Sequence, residues 1–518
     1  MKLNYKRTIL VGFAFFLISA FWQAYDATIP VILTNKFGMS QTWSGVIMAL
    51  DNILAVFMLP IFGALSDKCL GNKYGKRTPF ITIGTIIAAV ALVGLSFVDN
   101  AQLNNISEVA VIDDPAALEI IYDTQANEDL ITPEGEKFVL ADTFTKEEFT
   151  AIRLKTTDAE TGKEITNPDY TNYVAPARQS YASQKTAENI VPLVLFIALL
   201  LVVLVAMATF RSPAVALMPD VTVKPLRSKA NAVINLMGTA GGILVLVLGM
   251  VFSTSAVRNA LMRYNVFYGI IAAIMLGALA IFLLTVRENK WAAQMRADSV
   301  RYGIEEAEEE SGEKRSLTAA EKKSLICILL SIALWYFGYN AVTSKYAVYA
   351  GNILDKDYNT TMLLAQAAAI ISYLPAGMVA SKIGRKKTIM SGVVMLAAAF
   401  TAAAFMRASS PTWLMNIFFA LAGVAWATIN VNSFPMVVEM CSGADIGKYT
   451  GFYYTASMTA QIFTPMVSGF LMDNLGMTVL FPYAAIFVAL AFVTMSLVRH
   501  GDSKIIAKKG LEALDIDD

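Results

Sequence analysis

Two acidic residues lie inside long apolar segments, where a charge is costly. Asp26 falls in the apolar run 9–33, and Asp51 falls in the run 43–65. A carboxylate at the centre of a membrane-spanning helix costs about 2.5–3.5 kcal/mol on insertion scales, so such residues usually have a role. In a partly dehydrated cavity a carboxyl group can take up a proton near neutral pH. We therefore expect Asp26, and after it Asp51, to couple proton movement; a polar tie between helices is the alternative.

Polar and aromatic side chains on the apolar segments could hold a small hydroxylated solute. Gln23 precedes Asp26 by three residues and shares its helical face. Two further segments offer aromatic and amide side chains at helical spacing: Trp335, Tyr336, Tyr339 and Asn340 on one, Trp426 and Asn430 on the other. Aromatic faces suit the C–H sides of a sugar ring, and amides match its hydroxyl groups. Aromatic residues in such segments also pack or sit at the membrane interface, which is the alternative role.

The composition indicates that lipid surrounds these elements. Of the 518 residues 56% are hydrophobic and 16% are charged, and the mean hydropathy is +0.54. Soluble chains are closer to half apolar and a quarter charged. Apolar stretches of about 20 residues, each able to cross about 30 Å of hydrocarbon as a helix, occur near 9–33, 43–65, 79–98, 190–210, 231–252, 265–286, 324–347, 362–381, 388–406, 413–438, 450–472 and 479–498. We predict an all-α integral membrane protein with twelve transmembrane helices.

Two polar segments divide the series. The first, 99–188, is acidic, with a possible short strand and helix at 138–154 and a loop-like stretch at 167–176. The second, 287–322, has the charge pattern of a helical linker. The predicted organisation is a six-helix N-terminal bundle (1–98 with 189–286), the insert 99–188 between helices 3 and 4, the linker 287–322, a six-helix C-terminal bundle (323–498) and the tail 499–518.

The distribution of basic residues predicts the orientation. An even number of spans places both termini on one side, and the short segments on that side are far richer in Lys and Arg than the short segments opposite. By the positive-inside rule both termini and the linker are cytoplasmic. The acidic insert is then extracytoplasmic.

The two predicted bundles look like repeats of one unit. The sequence GALSDKCLGNKYGKR, from Gly63 to Arg77, follows the second segment, and GMVASKIGRKK, from Gly377 to Lys387, follows the eighth. The acids that follow the fourth and tenth segments, Asp220 and Glu439, are separated by about 95 residues less than these two loops are, which is close to the length of the insert. Removing the insert therefore gives both pairs the same offset. Duplicated six-helix units are the plan of many secondary carriers, whose halves rock about a site at mid-membrane depth.

The first of these loops resembles a known family signature. G-x-L-S-D followed by a basic G-K-R turn is similar to the loop between helices 2 and 3 of the major facilitator superfamily. The stretch Ser66 to Ile81 resembles the same loop in the plant sucrose–proton symporters and their animal and bacterial relatives, with Lys68 where those proteins have arginine. Glycoside–cation symporters are more distant relatives.

The resemblance implies a symporter that moves a di- or oligosaccharide inward together with a proton. It also implies that helices 1, 4, 7 and 10 line the cavity, which is where the aromatic clusters lie. The sodium-coupled melibiose-type carriers have paired acids on helix 2, whereas the second apolar segment here contains Asp51 alone. A proton is therefore expected rather than sodium.

Charged residues of the basic loops could close the cytoplasmic face. Asp67 can pair with Arg77 or Arg211 and accept hydrogen bonds from a helix N-terminus. The expected gate residues are Gly63, Asp67, Arg77, Arg211, Asp220 and Glu439. Alternatively, the basic residues only fix the topology.

Several function classes are disfavoured by what the chain contains. The single histidine, His500, lies in the tail, which excludes histidine-based catalysis, and three scattered cysteines suit neither a disulfide framework nor a zinc site. The net charge of +0 gives no reason to expect nucleic acid. We expect a monomer in the plasma membrane that is not an enzyme and has no cofactor or metal; its partners are the lipid bilayer, a saccharide and a proton. A drug or metabolite exporter, or a sensor that uses the insert as its receptor, remains the alternative.

Overall fold

Long helices dominate the computed structural model, which describes residues 3–69, 71, 73–157, 164–223, 226–301, 317–438, 440 and 446–500. Apolar runs of this length become helices because, in lipid, every backbone group must bond within its own segment. The helices are α1 (Tyr5–Asn35), α2 (Gln41–Lys68), α3 (Thr78–Asn105), α4 (Pro115–Gln125), α5 (Leu140–Thr143), α6 (Lys146–Ala151), α7 (Ala175–Glu188), α8 (Val191–Val221), α9 (Arg227–Phe252), α10 (Asn265–Thr285), α11 (Glu288–Arg301), α12 (Ala319–Tyr349), α13 (Tyr358–Ile383), α14 (Arg385–Ala404), α15 (Thr412–Val438), α16 (Ile446–Leu475) and α17 (Leu480–Ser496).

Each predicted apolar segment coincides with one long helix. In the described part of the chain, ten helices are long and apolar enough to cross a membrane. The helices α13 and α16, at the predicted segments 362–381 and 450–472, have 26 and 30 residues but are not among these ten. Both carry polar residues such as Gln366, Gln461 and Asp473. The helical architecture of the long apolar segments is as predicted, and the count of twelve spans stays a prediction.

The long helices form two groups, each with its own apolar core. We call α1–α3 with α8–α10 the N-terminal half, and α12–α17 the C-terminal half. Within the first, α1 packs on α9 and α3 on α8; within the second, α13 packs on α15 and α12 on α17. The halves meet where α2 packs on α16, α9 on α13 and α1 on α12.

The predicted insert is a small folded unit with a third apolar core. Strand β1 (Leu130–Ile131) pairs antiparallel with β2 (Lys137–Phe138), and β3 (Lys155–Thr157) pairs with β4 (Glu164–Thr166). Phe149 and Tyr181 lie in the core between α4, α6 and α7. The expected short strand and helix at 138–154 are found, but the expected loop at 167–176 is wrong. There the chain forms a π-helical turn at Tyr170–Val174 that leads into α7, and Tyr170 and Val174 are both buried in the core of the insert.

The linker begins with α11, which packs on α8. Its charged stretch EEAEEESGEKR lies outside the described residues. The ends of the long helices next to the insert are called the insert side below, and the opposite ends, next to α11, are called the linker side.

Candidate functional site

Acidic and basic side chains of α1, α2 and α8 come together in the N-terminal half. Asp26 on α1 and Asp51 on α2 are both half-buried, and their charges are close enough to repel each other. Asp51 Oδ1 accepts a hydrogen bond from Asn52 Nδ2 at 2.7 Å, and the charge of Arg211 on α8 attracts Asp51. The Arg211 guanidinium lies 6.0 Å from the centre of the Trp22 ring. The two predicted coupling acids therefore lie in one cluster.

Stacked aromatic rings face each other in the C-terminal half. Tyr339 on α12 stacks on Trp426 of α15 with ring centroids 3.6 Å apart and planes 5° from parallel. Tyr336 meets the same indole edge-on at 5.2 Å. All three are only partly buried. Their rings form an apolar platform, and the sequence-based prediction of sugar binding rested on these aromatic side chains. The charge of Asp26 acts on Tyr339 across the gap between the halves.

The other predicted binding residues occupy different settings. Trp335 is 1% exposed in the core of the C-terminal half, so its position favours packing over contact with a solute. Asn340 is half-buried on α12, one residue from the stacked Tyr339, and Asn430 is half-buried on α15. The Asn430 backbone carbonyl accepts a hydrogen bond from Ser433 Oγ.

Some buried polar atoms on α1 and α12, the helices that carry Asp26 and Tyr339, lack a hydrogen-bond partner. Among the residues that the structure describes, Trp22 Nε1, Tyr25 Oη and Asn340 Nδ2 are buried and have no hydrogen-bond partner. Native proteins rarely leave such groups without a partner, and each one costs about 1–3 kcal/mol if it stays unpaired. Donors of this kind at mid-helix depth can be satisfied by a hydroxylated ligand or by water.

A pair of glutamines links the halves beside this region. Gln23 Nε2 on α1 donates to Tyr358 Oη at 3.3 Å, and Gln366 Nε2 on α13 donates to Gln23 Oε1 at 2.6 Å. Gln23 is therefore occupied by protein partners in this state. A solute could reach it only by displacing these bonds.

Closer to the insert side the halves are locked together. The Asp473 carboxylate on α16 accepts the backbone N–H groups of Gln41 and Thr42, both at 2.7 Å, and the Thr42 hydroxyl at 2.5 Å. Lys345 on α12 is fully buried and donates to the Gln41 carbonyl at 2.5 Å. The N-terminus of α2 thus receives a negative charge, which suits its dipole.

Two glycines allow this close approach of α2 and α16. A side chain at Gly45 would collide with the Pro465 backbone, and one at Gly469 would collide with the Gln41 backbone. A second lock lies at Asn359 on α13, whose Nδ2 donates to Thr254 and Ser255 hydroxyls at 3.1 Å. The halves are therefore closed against each other on the insert side.

The predicted gate residues on the linker side are only partly brought together. Arg77 Nε donates to Asp220 at 2.8 Å, and its Nη1 donates to the Ser66 hydroxyl. Gly63 lies close to α8, where an added side chain would come within 2.9 Å of Ser212 Oγ. Both contacts lie within the N-terminal half.

The remaining members of the predicted gate lie elsewhere or are not described. Arg211 joins Asp51 and Trp22 rather than Arg77, because it sits nine residues before Asp220 on the same helix. The side chain of Asp67 and the whole of Glu439 lie outside the described residues. A gate across the two halves on the linker side therefore stays a prediction.

Several interacting residues escaped the sequence reasoning. Glu288, the first residue of α11, is 2% exposed and accepts the backbone N–H groups of Lys76, Arg77 and Thr78 at 2.7–2.9 Å. No sequence motif marks this contact, because Glu288 is more than 200 residues from the N-terminus of α3, whose backbone it binds. Lys345 did have a signal, since it is a lysine within the apolar segment 324–347.

Comparisons with known proteins match this architecture in both halves. The family model described as "MFS/sugar transport protein" matches residues 10–104, and the model described as "Major Facilitator Superfamily" matches residues 352–513. Each model covers less than a third of the chain, so the chain is similar to the major facilitator superfamily in one part of each half.

Curated relatives match only short stretches. An MFS-type transporter, ppzB, from Metarhizium rileyi is 24% identical over 142 residues, which is 27% of this chain and 29% of that protein. The sucrose transport protein SUC3 from Arabidopsis thaliana is 35% identical over 68 residues, covering 13% of this chain and 11% of that protein. The chain thus spans less than a third of the length of these relatives.

Solved structures show the same fold along the whole chain. The inward-open conformation of the xylose transporter XylE from E. coli covers 99% of both chains with a TM-score of 0.58 and 15% identity. A structure of the nucleoside transporter NupG covers 95% of this chain and all of that one, with a TM-score of 0.52 and 14% identity.

Proposed function

We propose that the protein is a secondary active transporter that takes up a di- or oligosaccharide, or a related glycoside, together with a proton. The observation that carries this proposal is that the half-buried acids of the N-terminal half lie near the aromatic platform of the C-terminal half. Asp26 on α1 acts electrostatically on Tyr339 of α12, which stacks on Trp426.

The chemistry around the platform fits a saccharide. Sugar rings present apolar C–H faces and polar hydroxyl edges, so they bind where an aromatic face adjoins hydrogen-bonding groups. Trp426 offers the face, and Trp22, Tyr25 and Asn340 supply donors that have no partner within the described residues. The named functions of the sucrose and xylose relatives point to the same class of solute.

A proton is the coupling ion that best fits the acids. In a dry interior a carboxylate is costly, so protonation of Asp26 or Asp51 lowers the free energy of the half-buried site. The repulsion between these two acids favours a shared proton further. The charge of Arg211 attracts Asp51, so Asp26 is our first choice for the coupling residue.

Alternating access supplies the movement. The observed state is closed at the insert side by Asp473 and the α2 N-terminus, with the matched fold of an inward-open transporter in support. We infer that α1–α3, α8–α10 and α12–α17 are twelve transmembrane spans that rock as two bodies, 1–98 with 189–286 and 323–498. The insert side faces outward, both termini are cytoplasmic, and the carrier works as a monomer in the plasma membrane.

Uptake into proteoliposomes tests the proposal. The purified protein is reconstituted, an inward proton gradient is imposed, and competition by a panel of mono-, di- and oligosaccharides is measured against a radiolabelled disaccharide. We expect gradient-stimulated uptake with competition by a subset of the panel. Absence of uptake for every saccharide would contradict the proposal and favour the exporter or sensor.

A further inference from the structure

One turn of the insert lies directly against the C-terminal half. The turn between β1 and β2, residues 132–136, is called the insert turn. Its Pro133 carbonyl accepts the backbone N–H of Met477 at 2.7 Å. A side chain added at Gly476 would lie 2.7 Å from the Gly135 nitrogen, and both glycines have positive φ angles of 88° and 98°. The two backbones therefore pack against each other with no space for a side chain.

The same turn also reaches a second loop of the C-terminal half. Glu134 Oε1 lies 3.7 Å from the Nε of Arg407, a residue in the loop between α14 and α15. Both side chains are about half exposed, so this ion pair contributes little free energy by itself. It shows that the insert turn contacts the C-terminal half at two separate loops.

The rest of the insert is fixed to the N-terminal half. Gln102 Nε2, at the end of α3 where the insert begins, donates to the Lys36 carbonyl at 2.8 Å, and Gln179 Nε2 donates to the Met39 carbonyl at 3.0 Å. Leu261, which precedes α10, is part of the insert's own apolar core. The insert is therefore expected to move as one body with the N-terminal half.

A solute arriving from the insert side meets this arrangement first. A half-open cavity of about 290 Å³ lies beneath the insert turn, lined by Thr132 and Gln179 of the insert and by Gln41, Asn352 and Asp473 of the two halves. It lies directly above the lock that Asp473 makes with α2. The insert turn thus forms part of the wall of the space that must widen for entry.

We propose that the insert turn is a clasp that holds the insert side closed and must release each time the carrier opens there. The proposal rests on the alternating access proposed above. The insert turn is attached to the N-terminal half and contacts the C-terminal half. This contact can exist only while the insert-side ends of the two halves are close together. The clasp therefore favours the observed state, and its strength sets how often the solute path opens on the insert side.

Reversible cross-linking tests the clasp. Glu134→Cys and Arg407→Cys are introduced into a chain whose three native cysteines are replaced, and a bifunctional methanethiosulfonate reagent joins them. We expect the bridge to lower saccharide uptake at least tenfold and a reductant to restore it. The matched control is Glu119→Cys with Lys146→Cys, an ion pair of 2.8 Å inside the insert. Unchanged uptake after complete bridging of the clasp pair would overturn the proposal.

A distance measurement tests the clasp without any transport. Spin labels at Trp43→Cys on α2 and Phe405→Cys after α14, both exposed on the insert side, report the separation of the halves. Gly476→Ala should raise the long-distance fraction at least threefold. Gly384→Ala, which has a similar φ of 93° but lies on the linker side, should leave it unchanged.

The two measurements separate this proposal from the proposed function. A shift with Gly476→Ala in a protein that transports no saccharide supports the clasp and contradicts saccharide transport. Unchanged distances in a protein that transports normally overturn the clasp and leave the transport function intact.

Discussion

Removing the Asp473 carboxylate should open the insert side of the carrier. This side chain accepts two backbone N–H groups and one hydroxyl from the N-terminus of α2, all at 2.5–2.7 Å. Hydrogen bonds to a charged group contribute about 1.5–3 kcal/mol each when buried. Asp473 is only half-buried, so we take about 1 kcal/mol per bond, or about 3 kcal/mol in total for Asp473→Ala.

That free energy applies to the closed state alone, because α2 and α16 belong to different halves. A change of about 3 kcal/mol corresponds to a shift of about 150-fold in the balance between closed and open insert sides. Asp473→Asn keeps one acceptor and should shift the balance by about tenfold. The loss also removes the charge that attracts the buried Lys345.

The assay is the distance between spin labels at positions 43 and 405 in detergent and in lipid nanodiscs. We expect a graded increase of the long-distance fraction from the parent to Asp473→Asn to Asp473→Ala. The matched control is Asp114→Ala, which removes an N-cap bond of 3.1 Å within the insert and joins nothing across the halves. Identical distance distributions in the parent and in Asp473→Ala would refute the reasoning.

Three further predictions concern the site and its supports. Asp26→Asn should abolish uptake driven by a pH gradient while leaving solute exchange partly intact; gradient-driven uptake at the parent rate would exclude the coupling role. Trp426→Ala removes the stacked platform, worth about 0.5–1.5 kcal/mol beyond its buried area, so KM for the saccharide should rise about tenfold, and an unchanged KM would place the solute elsewhere. Lys36 and Asp99 form a fully buried ion pair of 2.6 Å, so Asp99→Ala should lower the free energy of unfolding by about 3–5 kcal/mol. Thermal unfolding in detergent measures this loss. Adding Lys36→Met to Asp99→Ala should restore most of the stability, and a double variant as unstable as Asp99→Ala would show that the unpaired charge is not the cause.

The positions of the long helices could be read from the sequence because lipid imposes one simple rule. A span must be about 20 apolar residues long and helical. The predicted segment 9–33 accordingly lies inside α1, and the predicted segment 265–286 nearly coincides with α10. The helices α13 and α16 are less apolar, and some of their polar residues bond to other helices rather than face lipid. Gln366, for example, bonds Gln23 rather than lipid.

The site was only partly accessible to sequence reasoning. Tyr339 and Trp426 are 87 residues apart, and their stacking follows from the packing of α12 near α15, which no local pattern states. The helical spacing did place Gln23 beside Asp26, but it could not show that Gln23 is held by α13. Trp335 shares the motif of Tyr336 yet turns into the core, since neighbours on a helix point about 100° apart.

The locks on the insert side could not be predicted at all. Asp473 and the α2 N-terminus are more than 400 residues apart, and neither carries a motif. The apolar core of the insert, which includes Phe149 and Tyr181, could not be predicted because the acidic composition of this segment resembles that of a solvated loop.

Saccharide-driven proton movement tests the central claim most directly. Proteoliposomes with a pH-sensitive dye inside are held without any imposed gradient, and the saccharide that competes best for uptake is added outside. Symport predicts acidification of the lumen at a rate that follows saccharide uptake and disappears in Asp26→Asn. Saccharide uptake with no change of internal pH would contradict proton coupling through this site.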